Sequence, residues 1–426
     1  MFRYMSRLIQ YFLIFLFSLI FFEFLGQIWI YKNNGFFPFF KHSDTPENLI
    51  NSEDTRQKLS PIFGYSYRPG WRPSDGLDDF KKNEIYKQLG VNQVPEYFYL
   101  PANNYGFISN FDYPHSNKDS INTFYIAITG GSVANGLALM VQEEFEKIVK
   151  KDLGFDNHDI VIINLSNGGY KQPIQAQILS YFISIGQKID LIINLDGLNE
   201  AYIGWENVSL FDTEYSIPYG TFLYGLLNNY YSKNPLLNQS LIKNLLHSKS
   251  AILYLYGNVL RERNKEKLFE YENEIGSIVK GRSYPIVIQK PKQKNLDDVS
   301  DEIVKSWING SLIIKGISEK FGIKYLHALQ PSQYISKKEF SESEKSMAFQ
   351  DPEWQGAEAV RKIYPKMIKS ANKLKSFGVN FIDLTDVFEE SKEHIYFDSC
   401  CHFRKNGYEI ILEKKFKPLL KKIFSD

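Results

Sequence analysis

The hydrophobic pattern divides the chain into three regions. From Leu8 to Tyr31 it is almost continuously apolar, and these 24 residues would extend about 36 Å as a helix, more than the roughly 30 Å hydrocarbon core of a bilayer. From there to about Ser120 neither helical nor alternating periodicity is sustained. Pro, Gly, Asn and aromatic residues recur instead, as in Arg68-Pro-Gly-Trp and Asn103-Asn-Tyr-Gly-Phe, and this predicts a stalk and an irregular collar. Beyond it, short apolar runs alternate with amphipathic stretches. Strands are predicted at Phe124 to Thr129, Asp159 to Leu165, Asp190 to Leu195, Ile323 to Leu326 and Val379 to Leu384, with helices from about Ala134 to Lys151 and from about Pro173. Strand and helix in alternation imply right-handed crossovers and a parallel sheet covered on both faces. The expected class is α/β, a three-layer α/β/α fold on a five-stranded parallel sheet, preceded by one transmembrane helix.

About 120 residues separate the third and fourth runs, far more than a crossover needs. An insertion at about 205–297 is therefore expected. It contains Tyr215, Tyr219, Phe222, Tyr224, Tyr230 and Tyr231 and the basic stretch Arg261-Glu-Arg-Asn-Lys-Glu-Lys, and it reads as a lid, an interaction surface or additional helical packing. The predicted organisation is an anchor at 1–33, a collar at 34–118 and a catalytic domain at 119–426.

Glu23 and Gln27 oppose insertion of the first segment in a membrane. An acidic residue at mid-helix costs about 3 kcal/mol, whereas sixteen Leu, Ile and Phe residues at about −0.5 kcal/mol each return about 8 kcal/mol. Insertion wins. No small-x-small site follows the run, so an uncleaved anchor is expected. Arg3 and Arg7 on one side balance Lys32 and Lys41 on the other, leaving orientation unset by basic residues.

Composition narrows the function classes. The 426 residues carry 50 Lys and Arg against 49 Asp and Glu, a net charge of +1, so no global field favours nucleic acid as a partner. With 43% apolar and 15% aromatic residues the chain has the means to fold. The two cysteines, Cys400 and Cys401, are adjacent, which excludes a disulfide scaffold and a four-ligand structural zinc site; as free thiols they are expected to pack. No P-loop, dinucleotide fingerprint or metal cluster appears, and no cofactor is expected.

Ligands of a parallel sheet bind at the carboxyl ends of its strands, and the polar clusters fall there. After the first strand, Gly130-Gly131-Ser132 lets the backbone turn and presents a hydroxyl at the head of a helix, which suits either a nucleophile or an ordinary N-cap. After the second, Asn164-Leu-Ser-Asn-Gly168-Gly169-Tyr170 offers an amide that no side chain obstructs, or a plain turn. After the third, Asp196-Gly197-Leu198-Asn199-Glu200 carries a side-chain amide. Near the end, Asp398-Ser-Cys-Cys-His402 brings a carboxylate close to an imidazole. His327, after the fourth strand, is the competing histidine: it would line the pocket or satisfy a backbone group.

In order and rough spacing these blocks resemble the SGNH (GDSL-type) hydrolase superfamily. The resemblance covers about residues 119–204 and 301–420, and is greatest to a membrane-anchored bacterial branch. It implies a flavodoxin-like α/β fold and ester hydrolysis, with Ser132 as nucleophile, His402 as base, Asp398 orienting the base, and Ser132, Gly169 and Asn199 as oxyanion donors. It also implies a domain outside the cytoplasm acting on acyl groups, O-acetyl groups above all, of envelope glycans. The same constellation would serve an O-acyltransferase on a surface polysaccharide, and a catalytically silent glycan-binding or scaffold protein of the envelope is the reading from a different class. One departure stands out. The superfamily spaces Asp and His three apart, whereas here they are four apart, a spacing that would place both on one face if the segment were helical.

Overall fold

The computed structural model describes residues 2–34, 37–40, 56–75, 77–91, 93–116, 122–220, 245–246, 248–260, 263, 289–350, 353–354 and 356–425. Phe222, Tyr224, Tyr230 and Tyr231, and most of the basic stretch after Leu260, lie outside them. The chain forms two compact units, neither contiguous in sequence: Met1–Asp54 with Asn228–Val287, and Thr55–Leu227 with Ile288–Asp426.

In the larger unit the five apolar runs form strands. These are β3 (Thr123–Gly130), β4 (Asp159–Ser166), β5 (Leu191–Asp196), β6 (Lys324–Leu329) and β7 (Asn380–Asp383), after a small antiparallel pair, β1 (Gln57–Ser60) and β2 (Gly64–Tyr67). The large sheet has the order β4-β3-β5-β6-β7 and every pairing in it is parallel. Every residue of β5 is buried, as expected of a strand covered on both faces, where alternation disappears.

The helices divide into two groups that pack among themselves. One comprises α5 (Ile174–Ser184), α6 (Leu198–Ser209), α8 (Leu296–Phe321) and α10 (Ala357–Ser376); the other includes α3 (Ser132–Met140), α11 (Lys405–Ile411) and α12 (Lys417–Ser425). Together with the sheet they make the three layers. α4 (Gln142–Lys147) continues α3 after a break, and α9 (Glu342–Ala348) follows β6. Trp307 of α8 and Tyr364 of α10 are fully buried against the sheet.

The collar is more structured than its periodicity suggests. It contains the β1–β2 hairpin and α2 (Asp79–Leu89), which Asp78 caps by accepting from the Lys81 amide at 2.8 Å and which Gly90 ends in the left-handed region, at φ 66°. No described residue of α2 is buried, so it has no apolar stripe from which its period could be read. Phe63, Tyr65, Phe107 and Tyr113 of this region join the main core.

In the smaller unit α1 (Phe2–Asn34) carries an apolar span over Gln10–Asn33, long enough to cross a membrane. A second, shorter apolar helix, α7 (Ala251–Leu260), lies in the insertion. Ile30, Ala251 and Tyr254 form a small cluster between them.

Candidate active site

Strand register gathers the first three blocks. Gly130 pairs with Ser166 on one side and Leu195 on the other, so the chain leaves β3, β4 and β5 at one level of the same sheet edge. At Gly130, φ is +142° and a Cβ would stand 2.1 Å from the Leu195 carbonyl oxygen, so only glycine fits. Gly131 has an ordinary φ of −85° but faces another obstacle: its Cβ would lie 2.0 Å from Asn199 Nδ2. Ser132 follows as the first residue of α3, where backbone N–H groups lack helical partners.

Asn199 sits in the first turn of α6, and its side chain donates to the Tyr170 carbonyl at 2.9 Å. One N–H is used in this way, which fixes the amide plane beside Gly131. Of the two candidate glycines, Gly169 has the left-handed backbone, φ +78°, and a Cβ there would meet Tyr65 Oη at 2.6 Å, whereas Gly168 faces open space. The Gly168 N–H turns to Asn167 Oδ1; that of Gly169 has no hydrogen-bond partner among the described residues. This turn is tied to the collar, because Tyr65 donates to the Gly168 carbonyl at 2.9 Å and Tyr170 donates to the Tyr65 carbonyl at 2.6 Å.

Glu200 joins the second block to the third. Its two carboxyl oxygens accept from Gln172 N at 2.8 Å and Gly197 N at 2.7 Å. Burial, assisted by nearby Asp196, pushes its pKa up to about 8. Neither this brace nor the role of Tyr65 was foreseen from sequence; the signal available was an acidic residue in the first turn of a strand-end helix.

The fourth block closes a chain of hydrogen bonds. Ser132 Oγ stands 2.7 Å from His402 Nε2, and His402 Nδ1 stands 2.5 Å from Asp398 Oδ2. The segment between them is not helical, contrary to the condition under which the four-residue spacing was expected to work. Instead the loop wraps around the carboxylate: Asp398 Oδ1 accepts from the amides of Cys400, Cys401 and His402 at 3.1, 3.0 and 3.1 Å. The extra residue is absorbed in this turn. The loop is held from outside by Gln333, which donates to the Asp398 carbonyl, by Tyr334, which donates to that of Ser399, and by Glu344, which accepts from the amides of Ile395 and Tyr396. Glu344 is fully buried and pairs with equally buried Lys338 at 2.9 Å.

Burial lowers the pKa of the His402 imidazole, but the charge and hydrogen bond of Asp398 outweigh it and carry the pKa up to about 9. Asp398 is shifted down; burial raises it, and the His402 charge and the wrapped amides overcome that effect. The result is a hydroxyl bonded to an imidazole whose other nitrogen is held by a carboxylate, the arrangement that lets a hydroxyl lose its proton as it attacks.

His327 is elsewhere. It is fully buried in β6, bonded to Asp196 at 2.9 Å and Ser311 at 2.8 Å, with Trp307 donating to the same Asp196 oxygen at 2.7 Å. It satisfies side chains in an internal network rather than a backbone carbonyl.

Cys401 is buried against Ser132, and Cys400 is partly exposed. Hydrogen bonding from Cys401 lowers the Cys400 thiol pKa, while burial raises that of Cys401. The two thiols and His402 place three possible ligand atoms within 4.8 Å of one another, but both ring nitrogens of His402 already serve Ser132 and Asp398. A cation bound there would break the chain of hydrogen bonds.

No protein-family model matches the chain, and no curated protein matches it. Among solved structures, the chain is similar to an acetyl xylan esterase, AlAXEase, at 10% identity and a TM-score of 0.33, over 69% of this chain and 99% of that one.

Proposed function

We propose that this chain is a membrane-anchored serine ester hydrolase that removes an acyl group, an O-acetyl group foremost, from an envelope glycan outside the cytoplasm. The observation that carries this reading is the unbroken chain of hydrogen bonds from Ser132 through His402 to Asp398 at the carboxyl edge of the sheet. Ser132 Oγ attacks the ester carbonyl while His402 Nε2 takes its proton, and Asp398 holds the ring and stabilises its cation. Negative charge forming on the carbonyl oxygen is met by the N–H groups of Ser132 and Gly169 and by the free N–H of Asn199, donors set in place before reaction. The imidazolium returns its proton to the departing sugar oxygen. Water, deprotonated by the same ring, then attacks the acyl carbon, and the ring passes that proton to Ser132 Oγ as the acyl–oxygen bond breaks and the carboxylic acid leaves. None of these steps calls on a cofactor.

The test is labelling of the detergent-solubilised full-length chain with a fluorophosphonate, which reacts with activated serines. Ser132 is expected to be the labelled residue, and Ser132→Ala to abolish labelling with the fold intact. Labelling of another serine in that variant would refute the assignment.

A further inference from the structure

Glu23 is the one acidic residue between Gln10 and Asn33. At 1.5 Å per residue it lies about 20 Å from one end of the span and about 15 Å from the other, well inside it. A carboxylate at that depth is expensive unless partnered, and the structure supplies partners from the insertion. Ser250 Oγ donates to Glu23 at 2.7 Å and the Ile252 amide at 3.2 Å; the Ala251 amide also donates to it. Gln27 donates to Glu23 and to the Lys249 carbonyl, each at 2.9 Å.

Glu23, Gly26, Gln27 and Ile30 recur at i, i+3, i+4 and i+7, so they form one stripe of α1. Along Leu19–Asn33 these four are the residues that are covered, and the rest are exposed. Gly26 lets α7 approach closely, since a Cβ there would stand 2.9 Å from Ala251 Cβ. On α7 itself Ile252, Leu253, Tyr256 and Val259 are exposed. Its apolar surface therefore continues that of the anchor.

In water the first-turn amides of α7 would be hydrated and would need no carboxylate. In lipid they must find a protein acceptor. The positive end of a helix is also the place where a negative side chain is stabilised. Glu23 and the start of α7 each remove the cost that the other would incur in a membrane. We propose that residues 249–260 form a second membrane-embedded element, seated on the Glu23–Gly26–Gln27–Ile30 stripe with the outer face of α7 on lipid acyl chains. Ala251–Leu260 spans about 15 Å, half the hydrocarbon core, so α7 is embedded without crossing. The proposal is independent of the ester-hydrolase reading.

The experiment uses the full-length protein in phosphatidylcholine–phosphatidylglycerol liposomes containing a phospholipid with a photoactivatable carbene precursor in its acyl chain, with adducts mapped by mass spectrometry. Adducts are expected in residues 8–31 and in 249–260, but not in Leu296–Phe321, a helix of the catalytic unit. Glu23→Ala should remove the adducts in 249–260 and keep those in the anchor, and Glu23→Gln should retain part of the former. Wild-type labelling of 249–260 no greater than that of 296–321 would overturn the proposal whatever the variants do. Unchanged labelling in Glu23→Ala would overturn the part assigned to the carboxylate.

Discussion

A carboxylate that accepts three backbone amides on one oxygen has little freedom to turn away from the ring on its other oxygen. This is how Asp398 tolerates a four-residue separation from His402, and it bears on how the site responds to pH. Only the neutral imidazole can take the serine proton. Because Asp398 raises the His402 pKa to about 9, the acid limb of kcat/KM should rise with pH well above the ordinary histidine value of about 6.5. Asp398→Asn removes the opposing charge and leaves burial dominant, so the limb should move to lower pH while turnover falls. A pH–rate profile of each form on a small activated ester checks this; a wild-type limb at the unperturbed value, or no acid shift in the variant, would contradict it. Stability carries the same signature. A raised His402 and a lowered Asp398 stabilise the fold at intermediate pH, and the gain is lost as pH rises through about 9 or falls through the Asp398 value. Ser132 and Asn199 were legible as site candidates because each follows closely on a strand end, and His402 because a carboxylate stands four positions before it. The geometry of Asp398 was not, because spacing alone cannot distinguish a helical turn from a loop folded around a carboxylate.

At the scale of elements, the strands were legible because burial on both faces leaves unbroken apolar runs, and their carboxyl ends located the blocks. α2 was not, since a solvated helix leaves no periodic trace. Least visible was the bracing between elements. Glu344 of α9 reaches the amides of Ile395 and Tyr396, more than 50 positions further along the chain, and so fixes the loop that carries Asp398 and His402. Glu344→Ala would leave the buried Lys338 charge unpaired, a loss of about 3–5 kcal/mol, and would free two loop amides. It should lower both the unfolding temperature and turnover. Lys338→Met in the Glu344→Ala background removes the orphaned charge and should recover much of the unfolding temperature, while turnover stays low because the loop amides still lack their acceptor. Calorimetry with a turnover assay separates the two effects; recovery of both together would mean that Glu344 acts through stability alone.

At the scale of the molecule, the two units cut across chain order, a relation no linear pattern discloses: Gly26 approaches Ala251 although 225 positions separate them. What was legible in α1 was its length and apolarity. The stripe at 23, 26, 27 and 30 was also present in the sequence, as two polar residues and a glycine at helical spacing, but it acquires meaning only once a partner is in view. The larger unit has its own extensive core, whereas the cluster around Ile30 is small. Deletion of residues 1–33 should therefore leave Ser132 reactive towards a fluorophosphonate and small activated esters. It should not give a freely soluble protein. α7 would keep its exposed Ile252, Leu253, Tyr256 and Val259, and Ala251 would be uncovered in addition, a contiguous apolar surface of the kind that binds lipid or detergent. Flotation of the truncated protein with liposomes, followed by labelling of the floated fraction, measures both properties at once. A reactive protein that stays in the aqueous fraction would argue against lipid contact by α7, and a floated but unreactive one would mean that the larger unit depends on α1 for its fold.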